Sequence, residues 1–202
     1  VKEWSGRVDA KPQTAPANLD WNMYVGPAPM KPYHPHRVGG THRGYWDYEG
    51  GGLGDMGQHY LDPFTWTYAK DNTAPVHVEV HAPPAHPDVC GMWGWVELTY
   101  ADGLTLVLDS GEWGQPWENW PSRGVSVNDL DEAGRKKLEA MPDPEPLRSF
   151  AEAVRTRKPA GGNAEAAHRT ATIMHLANIA IRVGRTIRFD PVKEVIIGDE
   201  EA

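Results

Sequence analysis

Residues 48–66 read YEGGGLGDMGQHYLDPFTW, and the fold depends on whether this stretch is a phosphate-binding loop or the opening of a helix. Apolar residues recur at helical spacing from Leu53 to about Ala69. At about 100° per residue, Leu53, Gly57, Tyr60, Leu61, Phe64 and Tyr68 fall on one side. Pro63 interrupts the run. It marks either a kink or a second short helix with Asp62 as N-cap and Pro63 at its first position.

The pattern changes downstream. VHVEVHA alternates, with Val76, Val78, Val80 and Ala82 on one face and His77, Glu79 and His81 on the other. MWGWVELTY and LTLVLDS flank ADG at 101–103, a hairpin signal. In the first of these strands Trp93, Trp95, Glu97 and Thr99 share a face. The sheet is therefore expected to have an aliphatic side and a second side of His, Trp and Glu, too aromatic for plain solvent and suited to a subunit interface or a covering loop. Two helices are expected to close the fold. One starts near Asp143-Pro144, carries Leu147, Phe150, Ala151 and Val154 as its stripe, and stops at Lys158-Pro159. The other runs from near Asn163 to Val183 with Gly184 as its C′ residue. It is apolar on most sides (Ala167, Ala171, Ile173, Met174, Leu176, Ala177, Ala180, Ile181) and is expected to be buried against the sheet. TIRFDP and KEVIIGD read as terminal strands.

Upstream, residues 1–9 read as a strand. An ordered loop follows from about residue 10 to 52, rich in Pro, Gly and aromatics, whose prolines bar long regular elements. Loops of this length in compact domains are usually functional. The expected fold is α+β, one domain over 1–202, with a largely antiparallel open-faced sheet and helices on one face.

Bulk properties narrow the function. The chain has 202 residues, 40% hydrophobic and 24% charged, as in a soluble globular protein. No apolar run of about 18 residues occurs, so no membrane-spanning segment is expected. A net charge of −8 argues against nucleic acid, which needs clustered Lys and Arg. One cysteine, Cys90, excludes an intrachain disulfide and a multi-cysteine zinc site. It suits a reducing compartment, which favours the cytoplasm and leaves export open. Nine Trp suggest flat apolar platforms for sugars, cofactors or subunit contacts. The N-terminus has no signal-peptide pattern and begins like the middle of a longer chain.

Three chemistries compete for the opening stretch. A dinucleotide loop needs G-x-G-x-x-G after a buried strand. The glycines here do not hold that spacing, GYWDYE is no apolar strand, and Asp55 would sit where phosphate belongs. An acid–base face fits better. Asp55, His59, Asp62 and Trp66 lie at i, i+4, i+7 and i+11, within about 60° of arc on a continuous helix. A carboxylate one turn before a histidine raises its basicity and fixes its tautomer, which suits a general base near neutral pH. Alternatively, Asp55 only complements the helix dipole on a solvated face. A metal site would recruit Asp55 and His59, with Asp62, His34, His36 or His42 as further donors. His77, Glu79 and His81 read as interface or surface residues, His168 and His175 as core or cleft histidines.

LDWNMYVGPAPMKPYHPHR, YWDYEGGGLGDMGQHYLDP and NAEAAHRTATIMHLANIAIRVGRTIRFDP resemble, in order, the C-terminal domain of the glucose–fructose oxidoreductase/inositol dehydrogenase/MocA (Gfo/Idh/MocA) family. The resemblance implies a two-domain NAD(P)-dependent sugar or polyol oxidoreductase. Its C-terminal domain supplies half the substrate site and an open sheet for homo-oligomerisation. The family's Asp-x-x-x-His pair falls on Asp55 and His59. By resemblance His59 takes the hydroxyl proton and Asp55 orients it, while Trp21, Tyr33, His34, Arg37 and Trp46 line the sugar and nicotinamide pocket; Asp62, on the same helix face, is a further substrate-binding candidate. The family's dinucleotide-binding half and catalytic lysine segment have no counterpart in these residues. Two alternatives therefore stand beside the oxidoreductase: a stand-alone hydrolase or lyase using Zn or Mn on a sugar, and a non-catalytic sugar-binding or assembly module.

Overall fold

The alternating runs become the sheet. In the computed structural model, which describes residues 6–9, 11–119, 127–142 and 146–202, β1 is His77–His81, β2 Trp95–Thr99, β3 Thr105–Asp109, β4 Ile187–Asp190 and β5 Val195–Ile196. The strands pair antiparallel in the order β3-β2-β1-β4-β5. The hairpin turns at Gly103, whose φ of +87° suits a residue without Cβ. Tyr100 N–H donates to Leu104 C=O at 2.8 Å and Gly103 N–H to Tyr100 C=O at 2.9 Å across the turn.

The chain divides into two compact units, residues 1–116 with 164–202, and residues 117–163. The first holds the sheet and three helices: α1 (Trp21–Val25), α2 (Gly51–Thr67) and the long helix Ala164–Val183. The second holds helices at Glu132–Glu139 (α3) and Phe150–Thr156 (α4), so the long helix is α5. α5 packs on β1 and β2, and α2 packs on α5. Their shared core contains Leu61, Val78, Val96, Leu98, Ile173, Leu176, Ala177, Ala180, Ile181, Ile187 and Phe189. Burying each larger aliphatic here contributes about 1.5–3 kcal/mol. α5 ends as its sequence indicates: Gly184 has φ +65° and donates to Ala180 C=O at 2.9 Å. The α+β architecture, with α5 on one sheet face and α2 packed on α5, is thus established.

Several expectations are corrected. Residues 6–9 form coil and turn, not strand, and residues 1–5 lie outside the described residues. α2 is continuous through Pro63. Its buried stripe is Gly51, Gly57, Leu61 and Thr65, while Tyr60 is 72% and Tyr68 56% exposed. The i, i+4, i+8 row, not the i, i+3 row, faces α5. Trp93 lies outside β2 and packs against the core, because Gly94, squeezed between His81 C=O and Trp113 C=O, ends the alternation there. α4 begins at its Ser149 cap, which accepts from Glu152 N–H at 3.2 Å; the Asp143-Pro144 start lies outside the described residues. Its stripe is not buried: Leu147, Phe150 and Val154 are all exposed. α3 was not anticipated from sequence, because its eight residues EAGRKKLE carry almost no apolar period.

A candidate site on the glycine-led helix

The glycines before α2 form an elbow. Tyr45, fully buried, turns its C=O toward three successive N–H groups, those of Tyr48 (3.1 Å), Glu49 (3.1 Å) and Gly50 (3.2 Å). The chain then reverses through Gly50 and Gly51, at φ +82° and +80°, into the first turn of α2. Gly54 completes the elbow, since a Cβ there would lie 1.9 Å from Glu49 C=O. Gly57 does the same on the opposite side, where a Cβ would approach the Met174 sulfur to 2.9 Å. α2 is thereby pressed between Glu49 and α5.

This geometry delivers a charge cluster to the head of the helix. Arg43 Nε donates to Asp55 Oδ1 at 2.8 Å and lies 3.9 Å from Glu49 Oε2. Glu49 Oε2 in turn meets His42 Nε2 at 2.9 Å. The two carboxyls shift in opposite directions. Burial, with a hydrogen bond to Asp55, pushes Glu49 up, whereas the Arg43 hydrogen bond holds Asp55 below the usual carboxylate range. The opposed shifts make Glu49 the first of the two to take a proton as pH falls.

A raised carboxyl favours folding while it is protonated, and that contribution is lost as pH rises through its folded value. Removing it by Glu49→Gln should remove this pH dependence. In urea unfolding, the wild-type minus variant stability difference should fall with pH above the ordinary Glu value of about 4.3 and then level off. A difference that rises across this window would refute the assignment. The Asp55 contribution runs the other way, being lost as pH falls through its lowered value.

His59 stands one turn along the same helix, exposed. Beside it a shallow hollow of about 440 Å³ opens between α2 and α5, lined by Gln58, His59, Asp62 and Pro63 on one side and Ala167, Thr170, Ala171 and Met174 on the other. That volume is within the range of small-molecule sites. Pro63 has no N–H to give His59 C=O, so α2 lacks one helical bond beside the hollow. Asp62 accepts from Thr170 Oγ1 at 3.4 Å, leaving acceptor capacity on an exposed carboxylate. His59 and Asp62 are therefore brought together at one cavity. Asp55 shares their helix face, but its carboxylate is engaged by Arg43 and makes no hydrogen bond to His59. Arg43, twelve residues upstream, was not anticipated from sequence; only the position of an Arg before a Gly-rich helix start signalled it.

The remaining sequence-derived candidates lie elsewhere. Trp21 donates from Nε1 to Lys31 C=O at 2.8 Å and stacks on Tyr24, with Tyr33 edge-on at 5.2 Å. His34 Nδ1 accepts from His36 N–H at 3.0 Å as a cap. Arg37 is buried, 2.6 Å from Asp88 Oδ2 and 4.3 Å above the Tyr45 ring. Burial alone would raise the Asp88 carboxyl, but Arg37 and Lys31 bring it below its ordinary value. Trp46 donates to His86 C=O at 2.9 Å, with Arg182 over its ring. These contacts order the 10–52 loop, and none of the five residues lines the hollow. His168 pairs with Glu194 at 2.8 Å on the surface, and His175 is exposed, so neither is a core or cleft histidine.

Among the described residues, no three His, Cys, Asp or Glu cluster as metal ligands. His34, His36, Asp55 and His59 are not assembled, because the first is spent as a cap, His36 Nδ1 faces Tyr45 Oη at 3.1 Å and Asp55 is taken by Arg43. The Zn or Mn reading finds no donor set. Nor do the residues at the start of α2 fit a dinucleotide diphosphate: Glu49 and Asp55 place carboxyls where phosphate needs open N–H groups.

No helix among the described residues is long and apolar enough to cross a membrane. A search among curated proteins returns no match. A family model described as the oxidoreductase family, C-terminal alpha/beta domain, matches residues 2–202. Nearly the whole chain is covered, and the antiparallel sheet with α2 and α5 on one face agrees with that description: the chain belongs to the Gfo/Idh/MocA oxidoreductase family, as its C-terminal domain.

Proposed function

We propose that this domain supplies the substrate-binding and proton-accepting half of a sugar or polyol oxidoreductase, with His59 as general base. The carrying observation is the hollow beside His59, where an exposed imidazole, the Asp62 carboxylate and Gln58 face an apolar wall of Ala167, Ala171 and Met174. Such a wall suits the C–H surface of a polyol, and the polar edge suits its hydroxyls. The steps these residues supply are three. Asp62 accepts hydrogen bonds from substrate hydroxyls, the small side chains of α5 leave room for the carbon skeleton, and His59 Nδ1 or Nε2 takes the hydroxyl proton as the carbon is oxidised. Family membership supports NAD(P) as the hydride acceptor, and no step here runs through the dinucleotide.

The test uses the protein expressed from its complete reading frame, assayed for polyol oxidation over a panel of neutral sugars and cyclitols. Filling the hollow with Ala171→Leu should raise KM about tenfold or more, roughly the effect of one misplaced aliphatic group at a binding pocket, with kcat less affected. Unchanged KM for every oxidised substrate would place the substrate elsewhere.

The second part of the proposal concerns self-association through the sheet face opposite α5. It is supported by half-buried Trp95 and Trp113 enclosing the His81 ring at 5.4 and 4.7 Å, an aromatic patch on a face otherwise lined by Glu79, Glu97 and Thr99. Trp95→Arg should shift the sedimentation coefficient of the assembled protein toward the monomer; a coefficient equal to wild type removes this surface from consideration.

A further inference from the structure

The Asp55–His59 spacing leads one to expect a direct hydrogen bond from carboxylate to imidazole, and the structure does not make it. Asp55 Oδ1 accepts from Arg43 Nε at 2.8 Å. Arg43 is itself held at its far end, with Nη1 donating to Gly40 C=O at 3.1 Å, inside the 3-10 turn Gly39–Gly44. The pair is partly sheltered, the Asp55 side chain being 16% and the Arg43 side chain 33% exposed. Glu49, pinned over Gly54 by the glycine elbow, flanks the same guanidinium at 3.9 Å, and His42 closes the row on Glu49. The guanidinium–carboxylate bond carries charge on both partners, and the guanidinium is held at both ends. Arg43 therefore fixes where the Asp55 carboxylate points.

We propose that Arg43 is a positioning residue of this site: it holds the Asp55 carboxylate at the head of α2, so that Asp55 makes no hydrogen bond to the His59 ring. This rests on the reading of His59 as the proton acceptor and specifies why that acceptor's tautomer is not fixed. The ring is left without a fixed partner while neutral and samples both tautomers. Glu49 and His42 support the arrangement from behind, Glu49 by confining the guanidinium and His42 by confining Glu49.

The experiment is a long-range proton–nitrogen correlation spectrum of the complete protein labelled with 15N-histidine, at a pH where the ring is neutral. The His59 signals are assigned by their loss in His59→Gln. Wild type should show a mixture of the two tautomers. Arg43→Ala frees Asp55 to meet the ring, and one tautomer should be enriched about two- to tenfold, the worth of a single net hydrogen bond. Arg43→Lys, which keeps a cation, should stay near the wild-type mixture. The double variant Arg43→Ala/Asp55→Asn should return to it, which a general loosening of the helix would not do. If Arg43→Ala fails to fold, Arg43→Gln carries the same expectation. The proposal is overturned if Arg43→Ala and Arg43→Gln leave the mixture unchanged, or if wild type shows a single tautomer that Asp55→Asn releases. These spectra need no turnover, so they are independent of the functional reading. That reading fails separately if His59→Ala retains the wild-type rate.

Discussion

Replacing His59 by alanine should lower kcat/KM for polyol oxidation by about 10²–10⁴, the usual contribution of a positioned general base, while the protein stays folded. The two halves of this expectation have different sources. The rate loss follows from removing the imidazole at the mouth of the hollow, where it lies beside Asp62 and Gln58. The unchanged stability follows from its exposure and from its making no hydrogen bond among the described residues. A surface substitution of that kind stays within about 0.5 kcal/mol. Urea unfolding and initial rates on the same preparation separate the two effects, and added imidazole should restore part of the lost rate. A variant that is folded and fully active would remove His59 from the chemistry.

Gly54→Ala should be the most damaging single-methyl addition in α2. Gly54 is helical, so the usual propensity scale would favour alanine there by about 1 kcal/mol. The tertiary environment reverses the sign. The new Cβ would sit 1.9 Å from Glu49 C=O and 3.0 Å from its carbonyl carbon, and neither is a flexible side-chain end that can swing aside. Relief requires moving the elbow, which is held by three bonds to Tyr45 C=O and by the Glu49 contacts with His42 and Arg43. The expected loss is about 3 kcal/mol, the upper end for overpacking, seen as a lower denaturation midpoint at constant m-value. A stabilised Gly54→Ala protein would mean that the glycines serve only chain flexibility, and the elbow account would be lost.

Much of the fold was legible because its signals are local and periodic. Alternation at 77–81 and around the Asp102-Gly103 turn, and the apolar run ending at Gly184, each report an element whose buried side is set by its own repeat. What failed to show was burial that no repeat encodes. Tyr60 and Phe150 sit at positions a helical stripe would bury, yet both face solvent. The stripe predicts which residues share a side, and only the packing partner decides whether that side is covered. Trp93 failed for the reverse reason, since Gly94 takes it out of the strand and against the core.

The site divides along the same line. By itself the sequence determined that Asp55, His59 and Asp62 share one helix face, because 3.6 residues per turn admits no other arrangement on a continuous helix. It also showed that the glycines do not keep the spacing of a dinucleotide-binding loop. Only the tertiary structure decided which groups these side chains meet. Arg43 reaches Asp55 from a separate turn, Thr170 reaches Asp62 from α5, and the loop aromatics are consumed in ordering their own segment. Such pairings join residues far apart in the chain, and close contact between them is set by the packed backbone, not by any local repeat.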